Sequence, residues 1–216
     1  QSDYDVAVKT AGIPRSLIKI PYTTATNLFF SAIDKKQIIG VTGTKGKSTT
    51  ASLIYWILKK SGRRAYLLGN IGTPMLSALE KKIKDNEYFV LEMSSYQLED
   101  IKYSPHIAVV LNLFPEHMDY HGGVEGYYNA KKNIIVNQTS DDFFVYNPKD
   151  KILNSWAKEG SASAVPFTSD LPISVSDIPL LGEHNIANVR AAVTVARQLG
   201  IADNKITEAI KTFKPL

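Results

Sequence analysis

Apolar runs of strand length alternate along this chain with segments whose apolar residues recur at helical spacing. Gln37–Thr42 is a strand-like run, and from Lys47 to Lys60 the residues Leu53, Ile54, Ile57 and Leu58 mark one helical face that Gly62 brings to an end. Ala65–Leu68 reads as a second strand. It precedes a predicted helix over Pro74–Lys84, with Thr73 as N-cap and proline at the first helical position. Tyr88–Leu91 and Ile107–Leu111 are near-continuous β-type runs, as expected of strands covered on both faces, and Asp142–Tyr146 is another. Between Ser161 and Pro179 the pattern weakens to short strands or loops. Helices over His184–Leu199 and Asp203–Phe213 close the chain. This β-α-β-α order predicts an α/β fold, a mostly parallel sheet with helices on both faces and ligand chemistry at the carboxyl ends of the strands.

Composition narrows the function classes. With 216 residues, 44% hydrophobic and 21% charged, the chain has ordinary globular make-up. No window approaches ~18 uninterrupted apolar residues, and the polar start Gln1–Asp5 is not a signal peptide. The absence of cysteine excludes a disulfide framework, a thiol nucleophile and a cysteine-bound metal, and fits a reducing, cytoplasmic setting. Any metal must then sit on oxygen or imidazole. The balance of 25 basic against 21 acidic residues gives +4, with lysines scattered rather than forming a stripe interleaved with aromatics, so a nucleic-acid binder is the weakest reading.

Three segments carry candidate chemistry, each directly after a predicted strand. Gly43-Thr44-Lys45-Gly46-Lys47-Ser48-Thr49-Thr50 is a glycine loop opening a helix. In that setting backbone N–H groups wrap a phosphate, lysine reaches the β/γ oxygens and a hydroxyl ligates Mg²⁺. The full phosphate-loop spacing would place glycine at position 41, where this chain has Val41, so the match is to a shortened form. Glu92, within Leu91–Glu99, ends a buried strand and is a candidate for Mg²⁺; the competing reading is a helix-capping or surface carboxylate. Glu99 reads as a solvated helix residue. The stretch Asn112–His121 gathers two carboxylates and two of the four histidines, a composition suited to a second hard cation, with His117 its best candidate. Lys131 and Lys132 read, from spacing alone, as a solvated pair on a helix.

Together these segments resemble the ATP-dependent Mur ligases of peptidoglycan synthesis, from about Val8 to Leu216. The likeness rests on GTKGKSTT at 43–50, the strand-end glutamate, the EHMD loop at 116–119 and GEHNIANVRAA at 182–192. GNIGTP at 69–74 and LEMSSYQLE at 91–99 bring it nearest to the D-glutamate-adding members and set it apart from the folylpolyglutamate synthases. The resemblance implies that ATP phosphorylates a carboxylate, an amine attacks the acyl phosphate, and phosphate leaves. It implies ATP contacts from Gly43 to Thr49 and from Asn185 and Asn188, the second asparagine at the adenine; a helix cap is the competing role for Asn185. It assigns Lys47 to the transferring phosphoryl group, Ser48 and Glu92 to the first Mg²⁺, and His117 with a carbamylated Lys131 to the second. Asn70, Ser94 and His117 would face the substrate.

The partners implied are a UDP-linked muramoyl peptide precursor and D-glutamate, with neither nucleic acid nor membrane insertion, and the implied state is a monomer. By the same likeness, residues 1–35 correspond to the tail of an amino-terminal UDP-binding domain and its linker, and 36–216 to the central ATP-binding domain. The carboxyl-terminal domain is expected to be absent, so a chain of this extent is expected not to turn over alone. Two alternatives stand beside this reading: another Mur-type ligase adding a different amino acid or a folylpolyglutamate-type ligase, and a nucleotide-binding module without catalysis.

Overall fold

A computed structural model describes residues 3–214. Gln1 and Ser2 of the polar start, and Pro215 and Leu216 at the other end, lie outside the described residues. The chain opens with strands β1 (Ala7–Lys9) and β2 (Tyr22–Thr24), a short parallel pair, and helix α1 (Ala25–Ala32), which Thr24 caps by accepting from the Asn27 N–H. β3 (Ile38–Thr42) leads into α2 (Lys47–Lys60), followed by β4 (Arg64–Gly69), β5 (Glu87–Glu92) and a one-turn helix, α3 (Ser95–Leu98). Then come β6 (Ile107–Val110), the one-turn α4 (Met118–His121), α5 (Val124–Val136), β7 (Phe143–Tyr146), α6 (Lys151–Glu159) and β8 (Ser163–Pro166). Helices α7 (Glu183–Gln198) and α8 (Asp203–Lys211) complete the fold.

The main sheet has six strands in the order β4-β5-β3-β6-β7-β8, every pair parallel. Its strands read as unbroken apolar runs because both faces are covered. Ile39, Val41, Val90, Ile107 and Val109 pack on one side with Ile54, Ile57, Val189 and Ile206 from α2, α7 and α8. Their alternates Ile38, Phe89, Leu91, Ala108 and Val110 pack on the other with Phe29, Leu98, Ile134 and Trp156 from α1, α3, α5 and α6. β3 lies between β5 and β6, so the chain winds to one side of it and then to the other. That reversal opens a crevice at the carboxyl ends of these three strands, where Thr42, Glu92 and Leu111 stand.

The predicted helix over Pro74–Lys84 is instead a 3₁₀ stretch, Met75–Glu80, and Thr73 does not cap it. The Thr73 N–H is committed to the Leu67 carbonyl at 3.1 Å and its residue bridges Leu68, so the segment starts tied back onto β4. The expected strand from Gln37 begins one residue later, since Gln37 closes a 3₁₀ turn. Among the described residues no helix is long and apolar enough to cross a membrane.

Candidate active site

Past Thr42 the chain turns through Gly43 and enters α2 at Gly46, whose backbone is left-handed at φ 86°, ψ −3°. A Cβ at Gly46 would also collide with the Asn188 side-chain oxygen, so backbone and packing both require glycine. No side chain caps α2. Its first-turn N–H groups and helix dipole therefore form a ready site for an anion. Ser48 and Thr49 stand in that turn, half-buried.

The loop is stapled to the segment after β6. The Thr44 N–H donates to the Asn112 carbonyl at 2.9 Å, and Asn112 returns two side-chain bonds to the Lys45 backbone, at 2.9 and 3.0 Å. The Thr44 hydroxyl, 2% exposed as a residue, accepts from the Phe114 N–H at 2.9 Å and meets the Tyr127 hydroxyl at 3.1 Å. Lys47 folds back over the loop, its Nζ donating to the Thr44 carbonyl at 2.9 Å. Burial pushes the Lys47 ammonium below its usual range, while Glu92 and Glu116 work against that shift. Lys45 is exposed and pairs with Glu116 at 2.6 Å, a hydrogen bond that lowers the Glu116 carboxyl.

Glu92 ends β5 and is 1% exposed, which overturns the reading of a surface or capping carboxylate. Ser94 caps α3 instead, in a reciprocal capping box with Gln97. Asn70 donates its side-chain amide to Glu92 Oε1 at 3.1 Å and its backbone N–H to the Glu92 carbonyl at 3.1 Å. Glu92 Oε2 is buried and has no hydrogen-bond partner. An ionised carboxylate oxygen kept from water in this way costs stability unless a cation or donor meets it.

His117 is exposed and sits in the left-handed region at φ 52°, ψ 32°, the one non-glycine residue with positive φ among those described. Its ring lies 5.3 Å from Tyr96 and 6.2 Å from Tyr127, centroid to centroid. The rest of its loop does not gather around it. Glu116 is turned to Lys45, and His121 to Ser95 (3.0 Å) and Glu99 (3.6 Å). Glu99 is thus a hydrogen-bond partner rather than a solvated residue: it accepts from the Tyr120 hydroxyl at 3.2 Å and faces the His121 imidazole, whose pKa burial pushes below its usual value. Burial and Glu99 push the Tyr120 phenol up to about 12, so it remains a donor. Among the described residues no three His, Asp or Glu side chains cluster as a metal site. A cation here would draw on mixed ligands from separate elements.

Lys131 departs furthest from its spacing-based reading. It is 1% exposed, with Nζ 2.9 Å from the Gly43 carbonyl and 3.4 Å from the Thr42 hydroxyl. Burial and the Lys47 charge bring its ammonium down to about 7. Only Lys132 behaves as a surface cation, paired with Glu159 at 2.7 Å. Thus the glycine loop, Glu92, the histidine loop and Lys131 meet in one crevice, from elements about 90 residues apart in sequence.

Beside the loop a cavity of about 520 Å³ runs between Gly46, Asn112, Phe114 and Phe167 and the start of α7, where Ala187 and Asn188 line it. Asn188 is 4% exposed and donates to Asn185 Oδ1 at 3.2 Å. Asn185 is not the cap: Gly182 precedes the helix, and the Asn185 amide donates to the Leu181 carbonyl.

The model of the Mur ligase middle domain matches residues 41–170. The chain belongs to the Mur ligase family. Curated relatives named UDP-N-acetylmuramoylalanine–D-glutamate ligase are 36% identical in Geobacillus sp. (strain WCH70) and in Streptococcus agalactiae, and 38% identical in Geobacillus kaustophilus. The alignments cover 97–98% of this chain and 52% of each relative, so the chain spans about half their length. Among solved structures, the UDP-N-acetylmuramate:L-alanyl-gamma-D-glutamyl-meso-diaminopimelate ligase of Neisseria meningitides aligns with a TM-score of 0.75 at 21% identity, over 99% of this chain and 80% of that one. MurF from Acinetobacter baumannii aligns with 0.70 at 19%, over 89% and 49%. These two likenesses establish the shared α/β fold. Within this Mur ligase domain, Asn112 and Tyr127 are site-building residues that sequence reasoning missed. The only signal for Asn112 was a polar residue directly after a buried strand.

Proposed function

We propose that this crevice binds ATP and Mg²⁺ and serves the acyl-activation step of a ligase that adds D-glutamate to UDP-N-acetylmuramoyl-L-alanine in the cytoplasm. The observation carrying this reading is Glu92, whose buried Oε2 has no partner at the strand end beside the glycine loop. A hard cation takes such an oxygen, so the residues fit the group. Ser48 and Glu92 would hold one Mg²⁺, and His117 with Lys131 a second. As a cation Lys131 would repel a metal. Held near neutrality by burial, its amine is the form that adds CO₂ to become a carbamate, which supplies carboxylate oxygens. Bound Mg²⁺ neutralises triphosphate charge.

The chain's own residues do the rest. Backbone N–H groups from Gly43 to Thr49 cradle the phosphates, and Lys47 swings from the Thr44 carbonyl to the transferring phosphoryl group as charge builds there. The cavity along Asn188 takes the adenosine, with Asn185 orienting the Asn188 amide. Asn70 and Ser94 border the side from which the muramoyl carboxylate approaches. A carboxylate oxygen attacks the γ-phosphorus as its bond to the ADP oxygen breaks; the amine then attacks the acyl carbonyl carbon, the C–O bond to phosphate breaks, and the amide forms as the nitrogen gives up a proton to solvent.

Thermal unfolding with Mg²⁺ and ATP tests the reading. A ligand at a hundredfold excess over Kd adds about 2.7 kcal/mol of stability. The parent chain is expected to show that shift and Lys47→Ala to lose it, with Glu92→Gln losing the Mg²⁺-dependent part. No shift in the parent at millimolar nucleotide would overturn it, and a shift that survives in Lys47→Ala and Glu92→Gln would favour a nucleotide-binding module without catalysis.

A further inference from the structure

His117 occupies a backbone conformation that side chains with a Cβ rarely adopt, and such a residue persists only where its surroundings over-determine it. Upstream, the Thr44 staple holds Phe114. Downstream, α4 begins at once, and the His121 N–H returns to the His117 carbonyl at 3.3 Å. What fixes α4 itself is a carboxylate 18 residues before His117, at the end of α3. Glu99 Oε2 accepts from the Tyr120 hydroxyl at 3.2 Å and Oε1 lies 3.6 Å from His121 Nδ1, while the other nitrogen of that ring, Nε2, meets Ser95 Oγ at 3.0 Å. The Tyr96 ring fills the space between, 4.6 Å from Tyr120 and 5.3 Å from His117.

Glu99 is fixed in turn: the Arg15 guanidinium donates to its carbonyl oxygen, and Asn133 holds the preceding Leu98 carbonyl at 3.1 Å. The geometry points to Glu99 as a positioning residue, whose carboxylate clamps α4 onto α3 and so sets the His117 ring at a fixed place beside Tyr96 and Tyr127. Because α3 follows Glu92 within a few residues, the clamp ties the two candidate metal-facing side chains to one rigid turn. The inference rests on the proposed role of His117 in the site, but the placement it describes exists without any ligand.

The chain has four histidines, so ring signals in a ¹³C/¹⁵N-labelled sample can be assigned individually. Cross-relaxation from the His117 ring to the Tyr96 and Tyr127 rings reports its placement in the free protein. Glu99→Ala is expected to cut those cross-peaks at least twofold and to move the His117 and His121 signals. His106, which precedes β6 at the amino ends of the strands, should be unchanged. Glu99→Gln, which keeps an acceptor for Tyr120, should restore most of the intensity. Unchanged His117 cross-peaks in a folded Glu99→Ala would overturn the proposal. Should that variant not fold, Tyr120→Phe deletes one arm of the clamp, and the same cross-peaks decide. Broadening of the His117 signal by Mn²⁺ with ATP tests the site reading separately: a parent without broadening whose cross-peaks still depend on Glu99 refutes the metal role alone.

Discussion

Lys131 Nζ lies 2.9 Å from the carbonyl oxygen of Gly43, with the whole residue 1% exposed. A helix on one face of the sheet thereby reaches under the glycine loop and fills a space that would otherwise bury an unmet carbonyl. The amine titrates at about 7 here, against an ordinary 10.5. The unfolded chain therefore binds the extra proton between those values, and stability rises with pH across that window and is flat on either side.

In CO₂-free buffer the parent should gain about 4 kcal/mol relative to Lys131→Met between pH 6 and pH 10. Urea denaturation at a series of pH values measures it. A constant difference between the two proteins would show that the buried amine is not what titrates.

Thr44→Val keeps the shape of the side chain but strips a buried hydroxyl from Phe114 and Tyr127. The stranded N–H and phenol should cost about 2 kcal/mol. Nucleotide affinity should fall with it, because the loop loses its link to the strand beyond. Isothermal titration together with chemical denaturation separates the two effects.

Two glycines with nearly equal φ separate strain from collision. Gly62 at φ 87° has open space where a Cβ would go, whereas Gly46 at φ 86° faces the Asn188 oxygen. Gly62→Ala should cost about 1 kcal/mol from the backbone alone. Gly46→Ala should cost about 2 kcal/mol more and abolish nucleotide binding. Equal losses would mean that Asn188 moves aside freely.

Asp100 fastens β1 and β2 to the body of the fold, through Lys9 at 2.6 Å, Tyr22 at 2.9 Å and Arg15 at 2.5 Å. Burial works to raise the Asp100 carboxyl, but hydrogen bonds from Lys9 and Tyr22 and the Lys9 charge hold it below its usual value. A depressed carboxylate stabilises above its unfolded value and loses that contribution as pH falls through the folded one. Hydrogen exchange over residues 7–24 should thus speed up selectively below about pH 4. Asp100→Ala, which leaves Lys9 buried without its counter-charge, should lose about 3 kcal/mol at neutral pH.

Strand positions were legible because two-sided burial leaves an unbroken apolar run, and the glycine loop because its torsions demand glycine. The helix expected over 74–84 failed for a different reason. Apolar spacing does not register that Thr73 has already given its N–H to Leu67. Lys131 was illegible for the same kind of cause: nothing on its own helix announces that Gly43, 88 residues earlier, lies within reach of its amine. Glu99 was misread because Tyr120 and His121 come back to it from 21 and 22 residues away. Helix α6 had a readable cap in Asp150, which accepts from the Ile152 and Leu153 N–H groups, and that signal went unused.

The staple between Thr44 and Asn112 joins the end of β3 to the end of β6, two neighbouring strands separated in the chain by β4 and β5. During synthesis the glycine loop emerges well before the residues that hold it. Until β6 docks beside β3, the loop has the right sequence but no partner for Thr44. The loop's stapled geometry is therefore acquired late, with the non-local pairing of β3 and β6, rather than when the motif itself leaves the ribosome.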